Sequence, residues 1–218
     1  MSDLVENKVN ELLNQEKWTR AALNSYTISN FNELDTLIEN AKLSETRHTV
    51  KEVCDEHLVH TRNSIIALYI SGVIALSRQV IDDSNLIKII NIFTDNHKWN
   101  IVEFLCNRIL SYGENKFALR TLSECYDHEN ENEKKYEIWK RLIKVDYEEA
   151  DIVRHLAEIE EDESNIDEAV EYYKRAIHRY IHKKLFSNVK DVWQKLVTLI
   201  PDETDFFFHI EFVGSKIL

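Results

Sequence analysis

Through most of this chain apolar residues recur at steps of three and four, the spacing that gathers side chains on one face of an α-helix. The clearest run is Ile166, Ala169, Val170, Tyr173, Ala176, Ile177 and Tyr180, with charged residues between them. In the first half the same pattern predicts helices over Asp3–Asn14, Asn30–Leu43, Glu45–Leu58, Arg62–Ile81, Ser84–Asn96 and Lys98–Tyr112. In the second half it predicts helical segments within Phe117–Asp146 and Asp151–Tyr180, and a last helix over Asn188–Ile200. Two capping-type starts support these bounds: Asn30 with Glu33 three residues on, and Ser164 with Asp167 three residues on. The most apolar stretch, Ile65 to Leu76, is twelve residues long. A membrane-spanning helix needs roughly 18 or more, so this stretch reads as a buried core helix.

The two later segments align with each other at a single offset of 34 residues. Leu119 falls on Val153, Leu122 on Leu156, Ser123 on Ala157, Trp139 on Tyr173 and Leu142 on Ala176. Ile101–Leu105 lies one further step upstream of Trp139 and reads as the second helix of a degenerate earlier copy. The best copy is Asp167-Glu168-Ala169-Val170-Glu171-Tyr172-Tyr173-Lys174-Arg175-Ala176-Ile177. Here Ala169 and Ala176 permit a close helix crossing and Tyr173 fills the groove between them. This stretch resembles the tetratricopeptide repeat, a helix-turn-helix unit of that period. It departs from that pattern at Glu160, where an aromatic is usual, and at Tyr147, where Pro is frequent. Trp193 follows Tyr173 by only 20 residues, so regular stacking is expected to break near Lys183–Ser187. The expected fold is all-α: a right-handed helical-repeat stack of antiparallel helix pairs. Residues 1–112 form an irregular helical region, and residues 113–218 carry the repeats and an apolar C-terminal segment. In that segment, Phe206–Val213 either folds back onto the last helix or marks a polypeptide that continues.

Composition agrees with this architecture. Only 3 Gly and 1 Pro occur in 218 residues, too few for the tight turns of an all-β fold. The formal net charge is −12, which disfavours direct binding to nucleic acid or to an anionic membrane. The three cysteines, Cys54, Cys106 and Cys125, are odd in number and form no Cys-x-x-Cys pair. That pattern and the absence of a secretory signal at Met1–Glu6 place the chain in the cytoplasm.

A second resemblance lies near the start. Glu16-Lys17-Trp18-Thr19-Arg20-Ala21-Ala22-Leu23-Asn24-Ser25-Tyr26, continuing through Asn30-Phe31-Asn32-Glu33-Leu34-Asp35, is similar to the long N-terminal extension on Gre-type transcription elongation factors of spirochaetes. The resemblance implies an accessory region of such a factor, with RNA polymerase as its protein partner. Gre-type transcript cleavage depends on acidic residues at a coiled-coil tip. No such hairpin is visible in this sequence, so no catalytic residue is carried over.

Sites of chemistry are weakly signalled. Cys54, His57 and His60 stand at steps of three, and His178 and His182 at a step of four. Neither group supplies the three or four ligands of a zinc site. The acidic runs Asp127–Glu131 and Glu158–Glu163 fall at expected inter-helix turns and read as solvated loops. Trp18, Trp99, Trp139 and Trp193 are candidates for a peptide-binding groove, but Trp139 and Trp193 occupy helix-packing positions and read as core; Trp18 is less defined. No glycine-rich phosphate loop or catalytic triad order is present. One local feature remains, a basic stripe in an acidic chain. Lys174, Arg175, Arg179, Lys183 and Lys184, interspersed with His178 and His182, are the candidate partner contact. The alternative is that they merely complement the C-terminal end of a helix dipole. The reading is a non-catalytic protein–protein scaffold without a cofactor, the helical-repeat region of a Gre-like factor. The alternative is a general tetratricopeptide adaptor for a partner unrelated to transcription.

Overall fold

A computed structural model describes residues 2–17, 19–41, 43–77 and 82–201. Among them the regular structure is twelve α-helices, and the chain forms two compact units, residues 1–131 and 132–218. Trp18, and the apolar segment Phe206–Val213, lie outside the described residues.

The first unit contains α1 (Ser2–Gln15), α2 (Arg20–Ser25), α3 (Ile28–Asn40), α4 (Ser44–His60), α5 (Ile65–Leu76), α6 (Ser84–Asp95), α7 (Trp99–Leu110) and α8 (Lys116–Glu129). Helix α5 is its centre, contacting α1, α3, α4 and α6. Every residue of α5 except Ile66 is buried, as an all-round apolar helix requires. Gly72 sets its closest crossing: a Cβ there would stand 2.9 Å from Leu86 Cγ on α6.

The start of α5 is later than the apolar pattern suggests, and two caps explain why. Ser64 Oγ accepts from the Ala67 amide at 3.0 Å. The Glu16 carboxylate accepts from the Ile65 and Ile66 amides at 2.9 and 3.3 Å, from Ser64 Oγ at 2.6 Å and from Tyr26 Oη at 2.8 Å. A carboxylate on the free amides of a helix N-terminus is doubly favoured, by hydrogen bonding and by the dipole. Helix α2 is not marked by the apolar period; Thr19 opens it, its Oγ1 accepting from the Ala22 amide at 3.1 Å. Helix α3 begins at Ile28, so Asn30 is not its cap but its third residue, and Asn30 Oδ1 accepts from the Thr27 amide at 2.9 Å. Phe31 on α3 anchors an aromatic cluster with Tyr69, Phe93 and Phe104, at centroid distances of 4.9, 5.9 and 5.8 Å. Beside it Asp35 accepts from Tyr69 Oη at 2.9 Å and from Arg108 at 2.8 Å.

The second unit contains α9 (Asn132–Val145), α10 (Ala150–Asp162), α11 (Ile166–His182) and α12 (Phe186–Leu199). Each packs on the next in chain order. Their core joins Ala150, Val153, Leu156 and Ala157 of α10 to Ala169, Tyr173, Ala176, Ile177 and Tyr180 of α11 and to Val192 and Leu196 of α12. Ala169, Tyr173 and Ala176 are all fully buried, as the small–large–small pattern requires.

Helices α6, α8, α10 and α12 begin at Ser84, Lys116, Ala150 and Phe186, steps of 32, 34 and 36 residues. Each of α6, α8, α10 and α11 ends in the same device. A residue in the left-handed region follows the helix: His97, Asn130, Ser164 and Lys184, with φ of 55°, 58°, 66° and 59°. After α10, the Asn165 amide donates to the Glu160 carbonyl at 2.8 Å and the Ser164 amide to Glu161 at 3.0 Å, the paired bonds of a Schellman turn. Ser164 is therefore a C-terminal stop for α10, not the cap that opens α11. Near Lys183–Ser187 the packing does not break: α11 turns through the Lys184 stop and packs on α12. What changes there is the connection, three residues instead of the four that join α9 to α10.

Candidate interaction surface

The basic stripe occupies the C-terminal half of α11 and the turn beyond it. Its helical steps divide its members. Arg175, Arg179 and Lys183 follow each other by four residues and share one face. Lys174 falls beside that face, half-buried and 4.0 Å from Glu171. Lys184 is exposed in the stop turn.

Arg179 is committed to the fold. Its guanidinium donates to the carbonyls of Ile143 at 2.7 Å and of Asp146 and Glu149 at 3.1 Å, tying down the α9–α10 loop. Burial lowers its pKa, as does the neighbouring Arg175 charge, against Asp146 and Glu149. The same guanidinium lies 5.8 Å from the ring of Tyr147, which is 77% exposed. Arg175 is exposed and lies 5.6 Å from the ring of Tyr172. The structure thus sets two Arg–Tyr pairs side by side. Neither tyrosine was a site candidate in the sequence; the one signal was Tyr147 standing where Pro is frequent.

The acidic run Glu158–Glu163 is not a solvated loop: through Asp162 it is the last part of α10, and three of its carboxylates are engaged. Glu158 meets Arg154 at 3.0 Å, His155 at 3.1 Å and Lys195 of α12 at 3.6 Å. Glu161 accepts from Tyr173 Oη at 2.6 Å and lies 3.5 Å from Lys195. Glu160 is buried and accepts from Tyr136 Oη and, at 2.8 Å, from Asn165 Nδ2. Burial opposes its charge, but those two donors and nearby Lys140 outweigh it and hold the carboxyl below the usual value. These contacts satisfy each carboxylate separately, by cations at Glu158 and Glu161 and by neutral donors at Glu160. In the other run, Asp127–Glu129 close α8, with His128 stacked on Trp99 at 4.3 Å.

Cys54 is fully buried, and burial, reinforced by Asp55, pushes its thiol up to about 12. His60, His178 and His182 are exposed. Among the described residues no three His, Cys, Asp or Glu side chains gather as metal ligands. No helix among them is long and apolar enough to cross a membrane. Trp139 and Trp193 pack partly buried against the second unit's core.

Against known proteins, no family model matches the chain. It is 51% identical over 187 residues to a GreA-associated domains protein of Treponema pallidum, covering 86% of this chain and 28% of that protein. It is 38% identical over 203 residues to transcription elongation factor GreA of Borreliella burgdorferi, covering 93% of this chain and 22% of that protein. The chain spans about a quarter of the length of these curated relatives. Nearly all of this chain is therefore homologous to a part, not the whole, of GreA-type proteins from two spirochaetes.

Proposed function

We propose that this chain is a helical-repeat accessory region of a Gre-type elongation factor, a non-catalytic cytoplasmic scaffold that engages RNA polymerase. The observation that carries the reading is its 38% identity, over 93% of its length, to part of a protein named as GreA. The starts of α8, α10 and α12, spaced at 34 and 36 residues, support a tetratricopeptide-like reading of residues 113–218. Residues 1–112 form the irregular helical region.

The repeat-like spacing by itself equally favours an adaptor for a partner unrelated to transcription. Size-exclusion chromatography of the purified chain with RNA polymerase core enzyme from a spirochaete decides between them. Co-elution at micromolar concentrations is expected. Failure to co-elute, together with saturable binding to a protein outside transcription, would overturn the first reading in favour of the second.

A further inference from the structure

We propose that the face of α11 bearing Tyr172, Arg175 and Lys183, completed by Tyr147 and Lys184, docks a carboxylate-rich segment of a partner protein. The proposal rests on the scaffold reading above and names the chemistry of one contact.

Several cations of this acidic chain are matched by carboxylates. Lys8, Lys51, Arg108, Arg154 and Lys195 each lie within 4 Å of a carboxylate. Arg175, Lys183 and Lys184 have no carboxylate within that distance among the described residues. Complementing the dipole of α11 accounts for groups in its last turn, Arg179 and His182. It does not account for Arg175, seven residues before the helix end, because the dipole effect fades within one turn.

The second observation is aromatic. Tyr147, 77% exposed, stands on a loop whose backbone carbonyls are held by Arg179. A large side chain left in water on a fastened loop is presented in a defined place, so docking onto it costs little ordering entropy. Arg and Tyr are the residue types enriched in the energetic centres of protein interfaces. A guanidinium receives a carboxylate through two parallel hydrogen bonds, and Lys183 and Lys184 add charge at the next turn.

The occupant is a polypeptide, not a nucleic acid. Glu148 is exposed in the same loop as Tyr147, and the chain as a whole carries −12. A phosphate backbone, with one charge every few ångströms, meets that repulsion along its length, whereas a short acidic segment meets it only locally.

The test uses the full chain, with a short poly-L-glutamate peptide and a single-stranded DNA several times its length as probes at low salt. The combined variant Arg175→Glu, Lys183→Glu, Lys184→Glu is expected to weaken poly-L-glutamate binding by roughly tenfold or more. Tyr147→Ala is expected to weaken it several-fold with the melting temperature unchanged. The combined variant Lys17→Glu, Arg62→Glu, Lys190→Glu changes the charge equally at three exposed positions elsewhere; it is expected to weaken binding by at most about threefold and serves as the charge control. Arg179 is left intact because it fastens the loop. Equal weakening by the control and the stripe variant overturns the proposal, as does tighter binding of the DNA than of the peptide by the unaltered chain. Repeating the polymerase co-elution with these variants separates the two readings. Loss of poly-L-glutamate discrimination with polymerase binding intact sinks only this inference. Absent polymerase binding with discrimination intact sinks only the earlier reading.

Discussion

At the scale of single residues, the four helix stops show how a chain with 3 glycines makes tight turns. Glycine occupies the left-handed position after many helices because it has no Cβ to clash with the backbone. Here His97, Asn130, Ser164 and Lys184 take that conformation instead. For a residue with a Cβ the left-handed region costs on the order of 1 kcal/mol, less for Asn, whose side chain bonds locally. Replacement by glycine removes that cost but adds freedom to the unfolded chain. The balance predicts that Ser164→Gly and Lys184→Gly each stabilise by about 0.5 kcal/mol, and Asn130→Gly by less. Urea unfolding checks it: the midpoint should rise in that order with the slope unchanged. A loss of stability in Lys184→Gly would mean that its side chain contributes more to the turn than its backbone costs.

At the scale of elements, the apolar periodicity located most helices because a buried face must repeat every three to four residues. It set the ends poorly, because ends are decided by polar partners distant in sequence. Glu16 caps α5 from 49 residues away, and no local signal at Ile65 reveals it. Helix α2 has six residues, too short for the period to show. The acidic run Glu158–Glu163 reads as a loop in the sequence because its charge density masks its helical register. In fact α10 turns Glu160 inward to Tyr136 and Asn165, leaving Glu158 and Glu161 to meet cations. That register has a pH consequence. Glu158 and Glu160 are both held below the ordinary value of 4.5; in each, burial acts against the anion and is outweighed by hydrogen-bond donors and nearby cations. A carboxyl whose pKa is lowered by folding stabilises the fold above its unfolded value, and that contribution is lost as pH falls through the folded value. The melting temperature should therefore drop as pH goes below 4.5, the value of the free side chain. Glu160→Gln should lower stability at neutral pH yet show a shallower acid drop than the unaltered chain. Parallel curves for the two proteins from pH 7 to 3 would show that Glu160 contributes nothing to acid unfolding.

At the scale of the whole molecule, the candidate surface was half legible. The cations of α11 stood out in the sequence, but the tyrosines did not, since Tyr147 reaches Arg179 across 32 residues of chain. What the sequence states without ambiguity is the charge, and it yields the last prediction. A chain of −12 with 39 acidic side chains repels a polyanion at long range, while the basic face of α11 presents few cations. Each phosphate contact contributes only through the counterion it releases, and a handful of contacts cannot offset that repulsion at physiological salt. The expected affinity for duplex DNA at 0.15 M salt is therefore weaker than about 10⁻⁴ M, the loose end of non-specific binding. Fluorescence anisotropy of a labelled duplex, titrated with the chain to about ten micromolar, should rise by no more than about a tenth of its saturating change. A saturating rise that diminishes steeply with added salt would show that the basic face acts on phosphates after all. It would also move any role in transcription from contact with the polymerase to contact with its template.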